Sequence, residues 1–73
     1  MSYNYSKLKG KIVEKCGNQQ NFAKMMGLSE RTISLKLNNE RKFNQLDIDK
    51  AMKILDIPLD EMKDYFFSPK VQN

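Results

Sequence analysis

The stretch QQNFAKMMGLSERTISLKLNN, residues 19–39, constrains this chain more than any other. Its punctuation predicts two short helices joined by a tight turn. The first runs from Gln19 to Met26, and Gly27 closes it, because a residue without a Cβ suits the left-handed conformation that many helix ends need. Ser29 then has the chemistry of an N-cap, its hydroxyl accepting from an unpaired backbone N–H near Thr32. Leu28 and Ile33 flank that cap at hydrophobic-staple spacing. Ala23 is small where two steeply crossing helices come close. Phe22, Met26, Leu28, Ile33 and Leu37 supply the apolar wedge between them.

This arrangement is a helix-turn-helix. The run Gln19, Phe22-Ala23, Met26-Gly27-Leu28-Ser29, Thr32-Ile33-Ser34 resembles the pattern of phage Cro and CI repressors, the lambda-repressor-like DNA-binding family. The stretch covers 21 of 73 residues, and one helix before it and two after resemble the rest of that domain. The chain is also similar to small Cro-like proteins from phages of Gram-positive hosts. The expected fold is all-α, about five short helices in one domain spanning 1–73, with the tail 66–73 given to dimerisation or disorder.

The flanking helices have their own signals. Leu8, Ile12 and Cys16 repeat every four residues with Val13 beside them, which predicts a helix over Ser6 to Cys16 stopped by Gly17. Gly10 inside it costs roughly 1 kcal/mol relative to alanine; it either admits a neighbouring helix or is simply tolerated. Asn18 suits the cap of the second helix, and the third runs from Glu30 to Leu37 or Asn38. Residues 38–42 are polar and read as a loop. Asn44 caps a fourth helix with Asp47 at its third position, and Phe43 and Ile48 repeat the staple. Ile48, Ala51, Met52 and Leu55 form its buried face, and Pro58 ends it at about Asp56. A short fifth helix covers Leu59 to Asp64 or Tyr65, with Leu59 and Met62 inward.

Charge is uneven. Residues 1–42 carry nine Lys/Arg and three acids, whereas residues 43–73 carry four lysines and six acids. The basic half contains the helix-turn-helix, the asymmetry expected of a face that meets a polyanion. On the third helix Arg31, Ser34, Leu35 and Asn38 share one face, bordered by Glu30, while Ile33 and Leu37 point inward.

In the resembling family the third helix enters the DNA major groove, and the base-reading positions match Glu30, Arg31, Ser34 and Leu35. Arg31 carries a planar fork of donors suited to guanine O6 and N7, and Glu30 can accept from cytosine or hold Arg31. Ser34 donates or accepts. Leu35 meets a thymine methyl or packs on helix 4 or the loop. Gln19 matches the family position that holds a phosphate. Thr32, Lys36, Asn38, Asn39, Arg41 and Lys42 are further phosphate candidates, as is Lys7 or Lys9. Lys36 departs from the family pattern, which usually has an apolar residue there, so its stem is expected over the core with the ammonium reaching out.

The resemblance implies dimerisation through the C-terminal part, here Tyr65, Phe66, Phe67 and Val71; the alternative is that these residues complete the monomer core. A dimer would read a roughly palindromic operator. The expected function is therefore sequence-specific binding of double-stranded DNA by a homodimeric transcriptional regulator, acting as a repressor. The alternative is a protein–protein module, an antitoxin or anti-repressor, on the same fold.

An enzyme is not expected. The chain has no histidine, and its one cysteine, Cys16, lies on an apolar stripe without a base to activate it. Asp60, Glu61 and Asp64 read as a solvated helix face, and no Gly-rich phosphate loop exists. No cofactor, metal or small-molecule ligand is expected, and a single cysteine excludes an internal disulfide. With no apolar leader and no run of membrane-spanning length, the chain is expected to be soluble, cytoplasmic and free of the membrane.

Overall fold

The computed structural model describes residues 2–69. Among them are five α-helices: α1 (Ser6–Cys16), α2 (Gln19–Met26), α3 (Glu30–Leu37), α4 (Gln45–Leu55) and α5 (Met62–Phe66), the last entered through a 3-10 turn at Leu59–Glu61. The expected all-α architecture is the observed one.

Local chemistry sets the boundaries. Asn18 accepts from Asn21 N at 2.7 Å to start α2, and Asn21 Nδ2 donates to the Cys16 carbonyl at 2.9 Å, so the same turn closes α1. Gly27 has φ +71°, and the N–H groups of Gly27 and Leu28 return to the carbonyls of Lys24 and Ala23. This doubly bonded end satisfies carbonyls that α2 would otherwise leave open. Ser29 Oγ accepts from Thr32 N at 3.1 Å, and its own oxygen lies 2.8 Å from Thr32 Oγ1. At α4 a reciprocal capping box forms: Asn44 Oδ1 accepts from Asp47 N, and Asp47 Oδ2 accepts from Asn44 N. Asp56 takes φ +54° and ends α4 two residues before Pro58.

The core lies between α1, α2 and α4. Leu8 and Ile12 from α1 meet Phe22, Ala23 and Met26 from α2, Ile33 and Leu37 from α3, and Ile48, Ala51 and Leu55 from α4. Lys50 of α4 reaches across and donates to the Met26 carbonyl at 2.9 Å, tying α4 to the end of α2. The turn between α2 and α3 is thus held from both sides.

Several expectations are corrected. Val13 is 60% exposed, because it follows Ile12 by one residue and so lies about 100° round the helix from the buried stripe. Leu59 is 78% exposed at the start of the 3-10 turn, while Met62 packs against the core as expected. A Cβ built on Gly10 meets nothing within 4 Å, so the tolerated reading holds there. Tyr65 and Phe66, expected as dimer contacts, are buried in the core, which makes them part of the monomer. Val71 lies outside the described residues.

The chain ends meet. Tyr3 and Pro69 form an isolated antiparallel bridge, and Asn4 N donates to the Ser68 carbonyl at 2.7 Å. Over this joint runs a chain of rings. Tyr3 meets Phe67 edge-on with centroids 5.7 Å apart, Tyr5 meets Phe43 at 5.4 Å, and Phe43 meets Phe66 at 5.5 Å.

Candidate functional site

The α2–turn–α3 unit positions the candidate site. With Ile33 and Leu37 fully committed to the core, α3 turns Glu30, Arg31 and Asn38 to solvent, and Thr32, Ser34 and Leu35 are half-buried along its flank. The four expected base readers therefore do lie together on one helix, with the exposed Arg31 the one cation among the four. Asn38 Nδ2 donates to Ser34 Oγ at 3.3 Å, so the lower part of that face is partly satisfied within the helix. Gln19 is half-buried at the first residue of α2.

Lys36 is not available as a phosphate contact. Its ammonium turns inward, donates to Asp47 Oδ2 at 2.7 Å and to the Lys42 carbonyl at 3.0 Å, and lies 5.8 Å from the centre of the Phe43 ring. The acid that caps α4 also neutralises the lysine of α3, so a residue expected to reach outward instead fastens two helices together. Asn39 is corrected on similar grounds. It adopts φ +65°, its Oδ1 accepts from Tyr3 N at 2.8 Å, and its Nδ2 donates to Tyr3 O at 2.9 Å. Both ends of the amide are spent on the N-terminal segment. Thr32 Oγ1 is engaged with Ser29, while Arg41 and Lys42 remain exposed on the loop after α3.

Lys7 sits 4.8 Å from the centre of the Tyr65 ring and 3.9 Å from Asp64. Lys9 is exposed. Phe67 is the one described residue of the expected dimer set that keeps substantial exposure, 42%. Glu30 and Glu40 alternate with Arg31, Arg41 and Lys42, so the α3 side carries charges of both signs rather than a continuous basic field.

Sequence reasoning did not find the Asn39–Tyr3 clamp or the ring chain. The available signal was Tyr3 and Tyr5, aromatic residues two apart just before α1, a spacing that suits an extended segment with one inward face. Cys16 is half-buried beside Met25, Sγ to Sδ 3.7 Å, and burial pushes its thiol above the ordinary value. Burial, helped by the neighbouring Tyr3, raises Tyr5 as well. Among the described residues no cluster of three or more His, Cys, Asp or Glu is placed to hold a metal ion, and no helix is long and apolar enough to cross a membrane.

The architecture is that of a small all-helical protein presenting one short helix, α3, from a braced turn. By its sequence the chain belongs to the family described as protein of unknown function (DUF739), whose model matches residues 1–69. It is also similar to a solved structure, the modulator of repression (MOR) of the temperate bacteriophage TP901-1 from Lactococcus lactis. The two share 53% identity with a TM-score of 0.82, over 99% of this chain and 97% of that one. No curated protein matches significantly. These findings overturn the expected membership in the Cro and CI repressor family: the matching family is a different one, and the similar protein is a modulator of repression. Caps, glycine and apolar spacing report the helix pair, which unrelated functions share.

Proposed function

We propose that this protein regulates phage repression by binding another protein, and that a repressor is that partner. The observation that carries the reading is the end-to-end similarity to a modulator of repression at 53% identity. The α3 side supports it. With Lys36 paired internally and Asn39 holding Tyr3, two of the residues that would grip phosphates are spent. What is left is a mixed face of Glu30, Arg31, Ser34, Leu35 and Asn38, in which a half-buried leucine sits among polar groups, a composition suited to a protein surface. The chain acts in this reading as a binding module without catalysis.

Direct binding to duplex DNA is the second reading, favoured by one observation: Arg31, Arg41 and Lys42 are exposed on and just after a helix set up as in a helix-turn-helix. Dimerisation on an operator belongs to this reading, with Phe67 as its contact.

The test is titration of the purified chain into the repressor of the phage that encodes it, followed by calorimetry, beside selection of the chain alone on a random duplex pool at about 150 mM salt. A stoichiometric complex with the repressor and no enriched duplex supports the protein reading. An enriched palindromic site, with no heat from the repressor, replaces it with the DNA reading.

A further inference from the structure

The ring chain at the joined termini walls a cavity of about 330 Å³ beside the C-terminal end of α3. Its apolar side is built from Tyr5, Phe43 and Phe66, with Phe67 at the edge; its rim carries Arg41 and Lys42. Among the described residues, no acidic side chain lines it. Neither Arg41 nor Lys42 makes an ion pair among the described residues, since the pairs there are Lys7–Asp64, Lys11–Glu14 and Lys36–Asp47. An apolar hollow with two unneutralised cations at its mouth is complementary to one kind of occupant, an apolar body with negative charge beside it.

We propose that this cavity binds an acidic segment of a partner protein by taking up one large apolar or aromatic side chain, with flanking carboxylates on Arg41 and Lys42. The volume is at the small end for ligand sites and fits a single anchoring side chain. Tyr5 meets Phe43 at 80° and Phe43 meets Phe66 at 80°, an edge-to-face wall against which one apolar or aromatic side chain can add a further contact of the same kind. Both polar ends of the Asn39 amide are spent on Tyr3, and the charge that the cavity offers an occupant comes from the two cations.

The position gives the cavity a link to α3. Glu40 N and Arg41 N both donate to the Leu35 carbonyl, at 2.8 and 3.2 Å, and Lys42 O accepts from Lys36. The rim is therefore a rigid extension of the α3 end, and an occupant there would touch the same partner as α3. The inference rests on the reading of this chain as a protein-binding module.

The experiment is a backbone amide NMR titration of the full chain with the capped peptide Ac-Asp-Glu-Phe-Glu-Asp-NH2. Shifts confined to residues 39–43, Tyr3 and Phe67 are expected. Affinity should fall at least tenfold for Ac-Asn-Gln-Phe-Gln-Asn-NH2, for Ac-Asp-Glu-Ala-Glu-Asp-NH2, and for the double variant Arg41→Glu, Lys42→Glu, whose exposed positions leave the fold intact by circular dichroism. Absent or scattered shifts overturn the proposal, as does equal binding of the alanine peptide. Stronger shifts of the same residues by adenosine monophosphate assign the cavity to a nucleotide and overturn it too, and so do shifts that follow protein concentration alone, the mark of a second copy. If the peptide binds here while the repressor gives no heat, the cavity stands and the repressor fails as the partner.

Discussion

Lys36 Nζ and Asp47 Oδ2 lie 2.7 Å apart, with only 10% and 14% of their side chains exposed. The pair joins the last turn of α3 to the first turn of α4, and Asp47 simultaneously caps α4 through Asn44 N. Removing one partner from a buried pair leaves an uncompensated charge and is worth more than the pair's net contribution. Asp47→Ala should therefore destabilise by about 3 kcal/mol, through the stranded ammonium and the lost capping box. Lys36→Met keeps the stem's packing and leaves the Asp47 carboxylate with the Asn44 N–H and the positive end of α4, so it should cost less, about 2 kcal/mol. Urea unfolding of the two variants measures the difference; equal midpoints would contradict it.

Gly10→Ala should stabilise the protein. The glycine is mid-helix, and its added Cβ would meet nothing within 4 Å. The gain is about 1 kcal/mol from helix propensity, or roughly 4–8 °C in Tm for a domain of this size. Thermal unfolding followed by circular dichroism reads it directly, and an unchanged Tm would show that another cost cancels the propensity.

Asn39 should control the N-terminal segment alone. Asn39→Gly keeps the left-handed backbone but loses both bonds to Tyr3, and Asn39→Ala adds a strain of about 1 kcal/mol. In both variants the Tyr3 and Asn4 amides should exchange faster with solvent, while protection in α1, α2 and α4 stays near that of the parent protein. Faster exchange throughout would mean that the clamp holds the whole fold.

How much of this was legible in the sequence follows from range. Asn18, Ser29 and Asn44 cap N–H groups three residues away, so the starts of α2, α3 and α4 could be placed from short windows of sequence. Lys36 and Asp47 are 11 residues apart and Tyr3 and Asn39 are 36 apart; no local pattern announces such pairs, and both Lys36 and Asn39 looked like free polar groups. Tyr65 and Phe66 lie on a five-residue helix, too short to show which side faces inward. The candidate face was legible because Ile33 and Leu37 fix the rotation of α3. Its partner was not, since the same helix pair serves proteins of different function.

The fold should weaken in alkali. Tyr5 and Cys16 both have pKa values raised above their ordinary 10.0 and 9.0, chiefly because burial disfavours the charged forms. A raised folded-state value contributes stability that is complete below the unfolded value and is lost as pH rises through the folded one. Stability should hold up to about pH 9 and fall beyond it, the thiol acting first and the phenol next. Cys16→Ala should flatten the first part of that fall, and Tyr5→Phe the second while keeping the ring against Phe43. Denaturation midpoints across pH 7–11 check both slopes.

Arg31→Ala separates the two readings of α3. Arg31 is exposed, and no hydrogen bond or ion pair among the described residues holds its guanidinium, so its removal should leave the stability of the fold within about 0.5 kcal/mol. On a protein surface a central arginine is a common anchor, and its truncation should weaken the repressor complex at least tenfold, about 1.4 kcal/mol. That loss would persist at raised salt to the extent that the contact is desolvated. On DNA the same change should cost roughly 1–3 kcal/mol at one base pair only, within an affinity that falls steeply as salt rises. Lys42→Ala completes the comparison. As a phosphate contact, its loss lowers the salt slope by about 1. As part of the rim beside Phe43, it weakens acidic peptides and leaves duplex binding as it was. Titrations of both variants against repressor and duplex at two salt concentrations therefore show which surface each cation serves.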